Sequence, residues 1–244
     1  MTWSIAVVCE ADADRRTAAT ITTKVLCTEI DWFDESYLNF RGYYPADERL
    51  LWREVKELAL ANNIVSIGFM NGLPASPDAH TTKKALMLFA RSEHQPEAVL
   101  LLRDSDNDTT RLDGLNAGRD AEPWPFPVVI GFAHTKRECW HLAGFQAKDE
   151  EERNRLEAIT SELGFHPCRD SHLLTARSDP NNAKLSAKRV LSELVGDDFE
   201  REAECLQNLT QLREHGAENG LSNFMLEIAT RLVPLFGGNQ SVAK

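Results

Sequence analysis

Apolar residues in this chain gather into short runs separated by amphipathic stretches. The runs are WSIAVVC at 3–9, IVSIGF at 64–69, AVLLL at 98–102 and PVVIGFA at 127–133. The last two are uniformly apolar rather than alternating, the pattern of strands covered on both faces of a parallel sheet. Pro123, Pro125 and Pro127 introduce the final run, where proline is tolerated at a strand entrance. Between the runs, apolar positions recur at helical spacing: Ala18, Ile21, Val25 and Leu26 within 14–28, then Leu51, Val55 and Leu58 within 47–62. Asp47 is placed to cap the second of these, and Pro77 opens a third helix running to about residue 93. Residues 31–45 read as an aromatic-rich connection whose rings form a satellite core. Strand alternating with helix predicts an open α/β fold with a mainly parallel sheet.

After residue 146 the pattern becomes helical throughout. A charged amphipathic helix carries Leu156, Ile159 and Leu163, and its acidic start at 149–152 suits the helix dipole. Helices are also expected over 183–195, 198–214 and 221–235, the last with Leu221, Phe224, Met225, Ile228, Leu232 and Leu235 facing inward. The expected organisation is an α/β core over residues 1–145 and a helical extension over 146–244 packed on it.

Composition narrows the class. Hydrophobic residues at 42% and charged residues at 27% are those of an ordinary globular chain. No apolar run is long enough to span a bilayer, and no basic-then-apolar leader is seen, so a cytoplasmic protein without a membrane partner is expected. Five scattered cysteines with no C-x-x-C pair suit reduced thiols. A net charge of −11 argues against a protein that coats nucleic acid by itself, because phosphate binding needs a basic surface. It leaves room for an enzyme whose metal ions, or whose partner, supply the positive charge.

The chemistry gathers where strands end. The first run leads into Glu10, Asp12 and Asp14, and the third into Asp104, Asp106 and Asp108, three aspartates at alternate positions. The fourth leads within five residues to Glu138. Carboxylates so close repel one another unless a cation, a proton or full hydration offsets the charge. Ligands of open parallel sheets bind beyond the carboxyl ends of the strands, and oxygen-only donors there suit Mg²⁺ or Mn²⁺. His134, Cys139 and His141 fit no closed four-ligand spacing for zinc, and neither a P-loop nor a nucleophile elbow is present.

The segment IAVVCEADADRR resembles the first motif of the Toprim domain, a strand ending in Glu with Asp four residues later, here Glu10 and Asp14. VLLLRDSDND resembles its second, Asp-x-Asp motif, here Asp104 and Asp106. VVIGFAHTKRECWHLAG is similar to an element of small standalone Toprim proteins related to the overcoming-lysogenization-defect nucleases, matched by Glu138 and Trp140. NNAKLSAKRVL, with Lys184, is the closest counterpart of their tail lysine, and Ala11 departs from the glycine usual after the first Glu. The resemblance implies a Mg²⁺- or Mn²⁺-dependent nuclease acting on DNA, with an ATPase subunit as partner and a place in anti-phage defence. On that reading Glu10, Asp104 and Asp106 hold the ion that activates water, and Asp14 and Glu138 hold or orient a second. Lys184 offsets charge on the phosphate, and Asp12 and Asp108 serve as supporting groups or caps. Trp140 is expected to pack rather than to contact a base. The competing expectation is a non-catalytic interaction subunit of the same fold, and the sequence leaves room for a homo-oligomer.

Overall fold

The protein is described by a computed structural model covering residues 2–65, 69–70, 73–176 and 183–237. In chain order the elements are β1 (Trp3–Cys9), α1 (Asp12–Glu29), β2 (Leu38–Arg41), β3 (Leu50–Leu51), α2 (Val55–Ala61), β4 (Phe69–Met70), β5 (Leu73–Pro74), α3 (Pro77–Arg91), β6 (Ala98–Asp104), α4 (Thr110–Arg119) and β7 (Val128–Ala133). Helices α5 (Arg137–Gly144), α6 (Glu150–Leu163), α7 (Ala187–Val195), α8 (Phe199–Glu204), α9 (Leu209–His215) and α10 (Leu221–Arg231) follow. This is the expected α/β fold: a parallel five-stranded sheet flanked by helices, with further helices toward the C-terminus.

The sheet runs β2–β1–β6–β7, with β3 also paired to β1. β2 and β3 share one flank of β1 in succession, Trp3–Ala6 pairing with Leu38–Arg41 and Val8–Cys9 with Leu50–Leu51. On the other flank Ile5–Val8 pair with Ala98–Leu101.

Two compact units divide the chain. The first comprises Met1–Arg103, Thr110–Gly131 and Leu226–Lys244, the second Asp104–Thr109 and Phe132–Met225. In the first, Ile5–Val8 of β1 and Ala98–Leu101 of β6 are wholly buried, as are Ala18, Ile21, Val25 and Leu26 of α1. Each large aliphatic side chain so buried contributes roughly 1.5–3 kcal/mol. Helices α3 and α4 meet at Gly114 and Gly118, where a Cβ at Gly118 would lie 2.5 Å from that of Thr82. Ser76 caps α3 by accepting from Ala79 N, and Pro77 follows it.

In the second unit, Cys139 and Leu142 of α5 pack with Ile159 of α6 and with Val190, Leu191 and Leu194 of α7. Trp140 is buried, stacked on Phe224 at a ring distance of 5.2 Å, and its Nε1 donates to Asn219 O at 2.9 Å, so it packs as expected. Asp149 caps α6 and Gly164 ends it in the left-handed conformation.

Several local expectations are corrected. The strand expected over 64–69 falls in part on residues that are not described. Residues 66–68 lie outside the described residues, and Phe69–Met70 pair antiparallel with Leu73–Pro74 in a separate two-stranded ribbon. One flank of β1 is taken by β2 and β3, from stretches expected to be connection and helix. Pairing of Leu50–Leu51 with β1 delays the next helix to Val55, and Asp47 instead closes a turn in which its backbone oxygen accepts from Gly42 N. The helix expected over 198–214 is two, α8 and α9, capped by Asp198 and Asn208. α10 stops at Arg231, and Leu235 is 41% exposed while Phe236 is buried. The aromatic connection does build a satellite cluster, Trp3 lying 4.7–6.0 Å by ring centroids from Trp32, Phe33, Tyr37 and Phe236.

Candidate metal site

In the first unit, β1 delivers Glu10 and α1 begins two residues later. The Asp14 carboxylate turns back along the helix and accepts from Ala11 N at 2.8 Å and Glu10 N at 3.2 Å, satisfying amides at the helix entrance. Glu10 Oε1 lies 3.3 Å from the Arg103 guanidinium, whose other nitrogen is 3.3 Å from Asp78. Arg103 sits over the Trp52 ring at 5.6 Å, and Trp52 Nε1 donates to Leu102 O. Asp12 meets Arg15, Arg16 and Arg49. Some burial opposes its charge, but these three cations outweigh it and hold the carboxyl below its usual range.

In the second unit, the chain leaves β6 through a tight loop. Ser105 N donates to Ala133 O at 2.8 Å and Asp106 N to Thr135 O at 3.2 Å, tying the loop to the end of β7 and the segment beyond it. Asp106 and Asn107 have φ of 49° and 67°, left-handed conformations that Asp and Asn tolerate. The resulting reversal brings Asp108 N onto Ser105 O at 2.7 Å. Ser105 is buried, with its hydroxyl 3.1 Å from His134 Nδ1, and burial, then His172, keep that imidazole below its ordinary pKa.

This scaffold sets two carboxylates on one cation. Lys136 Nζ lies 2.6 Å from Asp106 Oδ1 and 3.3 Å from Asp104 Oδ2, and the other oxygen of Asp104 accepts from Arg137 N at 3.0 Å. Burial opposes the ammonium charge, but hydrogen bonds and attraction from Asp106 and Asp104 prevail and hold Lys136 above its ordinary value. Glu138, in the first turn of α5, has its carboxylate 3.6 Å from the Arg137 guanidinium. Lys184 lies exposed in a short 3₁₀ turn, Ala183–Leu185. There Arg189 first, and Lys184 with it, hold Glu162 in its charged form.

Of the residues singled out from the sequence, the structure brings Asp104 and Asp106 together on one point. Asp14 is used in the entrance of α1, Glu10 meets Arg103, and Lys136 meets both aspartates. Lys136, Arg137 and Arg103 are the residues that reading by motif passed over. Their signal was basic charge placed in or beside the acidic strand ends: Arg103 directly before Asp104, and Lys136 and Arg137 directly before Glu138. Among the described residues, no group of three His, Cys, Asp or Glu forms a ready cage for a metal ion. Asp104 and Asp106 are hard oxygen donors of the kind divalent cations take, but here they come only as a pair. Asp104 and Asp106 present oxygens to a single positive centre, and neither carboxylate is sealed from solvent.

Comparison of the chain with protein-family models, with curated proteins and with solved structures finds no match in any of the three. No helix among the described residues is long and apolar enough to cross a membrane.

Proposed function

We propose that this chain is a Mg²⁺- or Mn²⁺-dependent nuclease, the DNA-cutting effector of a complex that includes an ATPase subunit. The observation that carries the reading is the convergence of Asp104 and Asp106 on one cation at the carboxyl end of β6. That is where open parallel sheets place their ligands. Asp104 and Asp106 would hold the ion, while roles for Glu10, Asp14 and Glu138 rest on the Toprim resemblance alone. A bound divalent ion would polarise phosphate and activate water there. The chain's own residues do the rest: the β6 loop fixes the angle of the two carboxylates, and Arg137 N holds Asp104 in place. Lys136 and Arg103 keep the acids compensated and the protein folded before any ion arrives. The resemblance to Toprim proteins supports the same reading, and the net charge of −11 supports a partner with a basic groove to deliver DNA and restrain the nuclease.

A second reading has its own support. Lys136 already neutralises the aspartate pair, as expected of a Toprim-like subunit that has kept the fold for interaction. One experiment separates the two. Plasmid and single-stranded DNA are incubated with Mg²⁺ or Mn²⁺ and either the isolated chain or the chain co-purified with its ATPase, with Glu10→Ala and Asp106→Ala as controls. Cleavage lost in both variants supports the nuclease. Cleavage by the complex that survives both places the chemistry in the partner and leaves this chain as the interaction subunit.

A further inference from the structure

In the first unit, three aromatic rings reach solvent together. Trp32 is 52% exposed, and the half-buried Trp3 and Tyr37 lie 6.0 and 6.1 Å from it by ring centroids. Phe33 and Phe236 are buried and pack against Trp3 at 5.7 and 4.7 Å, giving the exposed rings a firm support. Rings of this kind, apolar and with few rotatable bonds, are the residues that anchor protein interfaces.

Charge indicates what covers them. Asp31, Asp34 and Glu35 flank Trp32 in the chain and are all exposed. Among the described residues none of these three carboxylates is in an ion pair, whereas Asp12, Asp104 and Asp106 each meet a cation. The hydroxyl and amide of Ser36 both donate to Asp34 and hold it in its charged form. Burial, then Asp34 and Glu35, push the Cys27 thiol up against the opposing pull of Lys24, so the field of these acids reaches the last turn of α1. A tryptophan face beside unpaired carboxylates attracts a cation through the ring quadrupole and through charge. It repels nucleic acid. It also disfavours a second copy, because a two-fold contact would set the same carboxylates against one another.

We propose that the face formed by Trp32, Trp3 and Tyr37 is a docking surface for a basic protein segment, with an arginine or lysine of that segment over the Trp32 ring and its neighbours paired to Asp31, Asp34 and Glu35. The inference goes beyond the nuclease reading and does not depend on it. The ring supplies the buried area of the contact, and the three acids select a cationic partner and steer its approach.

The test uses the full chain and, as the probe, a short labelled peptide rich in arginine and lysine, with its glutamate counterpart as the blank. Fluorescence anisotropy at physiological ionic strength compares the wild type with Trp32→Ala and with a triple variant, Asp31→Asn, Asp34→Asn and Glu35→Gln. A control triple, Glu150→Gln, Glu151→Gln and Glu157→Gln, removes the same charge from the exposed face of α6. Trp32→Ala weakens binding about threefold to thirtyfold, the range of a cation on an aromatic face. The first triple weakens it about tenfold, and the control leaves it within about twofold, because charges more than about 8 Å from the contact are screened. A second measurement avoids any folding defect in the variants. A carbodiimide couples the peptide's lysine amines to carboxylates of the wild type, and mass spectrometry locates the links, which fall first on Asp31, Asp34 and Glu35. Equal losses in the two triples, binding unchanged by Trp32→Ala, or links spread over the exposed acids in general overturns the inference. Sedimentation showing a wild-type dimer that Trp32→Ala dissolves would give the face to a second copy and overturn it as well.

Discussion

Removing Glu152 tests how the second unit is held together. Its carboxylate faces Arg201 in parallel fork geometry, Nε to Oε1 at 2.7 Å and Nη2 to Oε2 at 2.8 Å, with both side chains about nine-tenths buried. Arg201 also donates to Gln146 O at 2.6 Å and lies over the Phe145 ring at 4.7 Å, and Glu152 accepts from Lys148 N at 2.8 Å. The pair thus ties α8 to the start of α6. Deleting one partner of a buried pair costs about 3–5 kcal/mol, because the other is left charged and poorly solvated. Glu152→Ala falls at the lower end, about 3 kcal/mol, since Arg201 keeps Gln146, Glu204 and the Phe145 face. Arg201→Met falls higher, because Glu152 keeps chiefly one backbone amide. The assay is urea unfolding near neutral pH on the wild type, both single variants and the double variant. The two losses should fall short of additive by about 2 kcal/mol or more. The gap should narrow in acid. Hydrogen bonding to Arg201 holds the Glu152 pKa below its unfolded value, so its contribution is full above that value and is lost as pH falls through the folded one. Additive losses, with coupling under about 0.5 kcal/mol, would refute the reasoning and reduce the pair to a surface contact.

Burial, and then Arg137, depress His141 to about 4 against the pull of Glu202. The unfolded chain therefore binds the extra proton between about pH 6.5 and 4, and stability should fall across that window as pH drops; a His141 ring signal in nuclear magnetic resonance that titrates near 6.5 in the native state would contradict this. Gly144→Ala should destabilise the second unit by several kcal/mol in thermal melts, on the order of a severe overpacking, because its Cβ would meet Cys205 O at 1.7 Å. Asp104→Ala should lower metal-free stability by about 1–3 kcal/mol, since Lys136 and Arg137 N each lose a partner; a rise would show that repulsion among the aspartates dominates. Of five cysteines, Cys27 alone is exposed, so a thiol reagent on the native protein should modify one site rapidly and the other four on unfolding.

Much of the architecture was written in local pattern. The long apolar runs at 3–9 and 98–102 and the helices following Asp149 and Ser76 obey periodicity, burial and capping that act over a few residues. Leu38–Arg41 and Leu50–Leu51 escaped because strands of two to four residues carry too little pattern to declare a period. They are strands because β1 offers them an unpaired edge, a fact about partners rather than about their own composition. The candidate site divides the same way. Carboxylates at strand ends were legible as residue types at a spacing, and that spacing raised the question of what offsets their charge. The answer needed the fold: Lys136 is 30 residues beyond Asp106 in the chain, and only a loop tied to the segment after β7 sets its ammonium on both aspartates. Hydrophobic periodicity is local and can be read in order along the chain. Charge compensation is a matter of distance in space, and distance is settled when the chain folds.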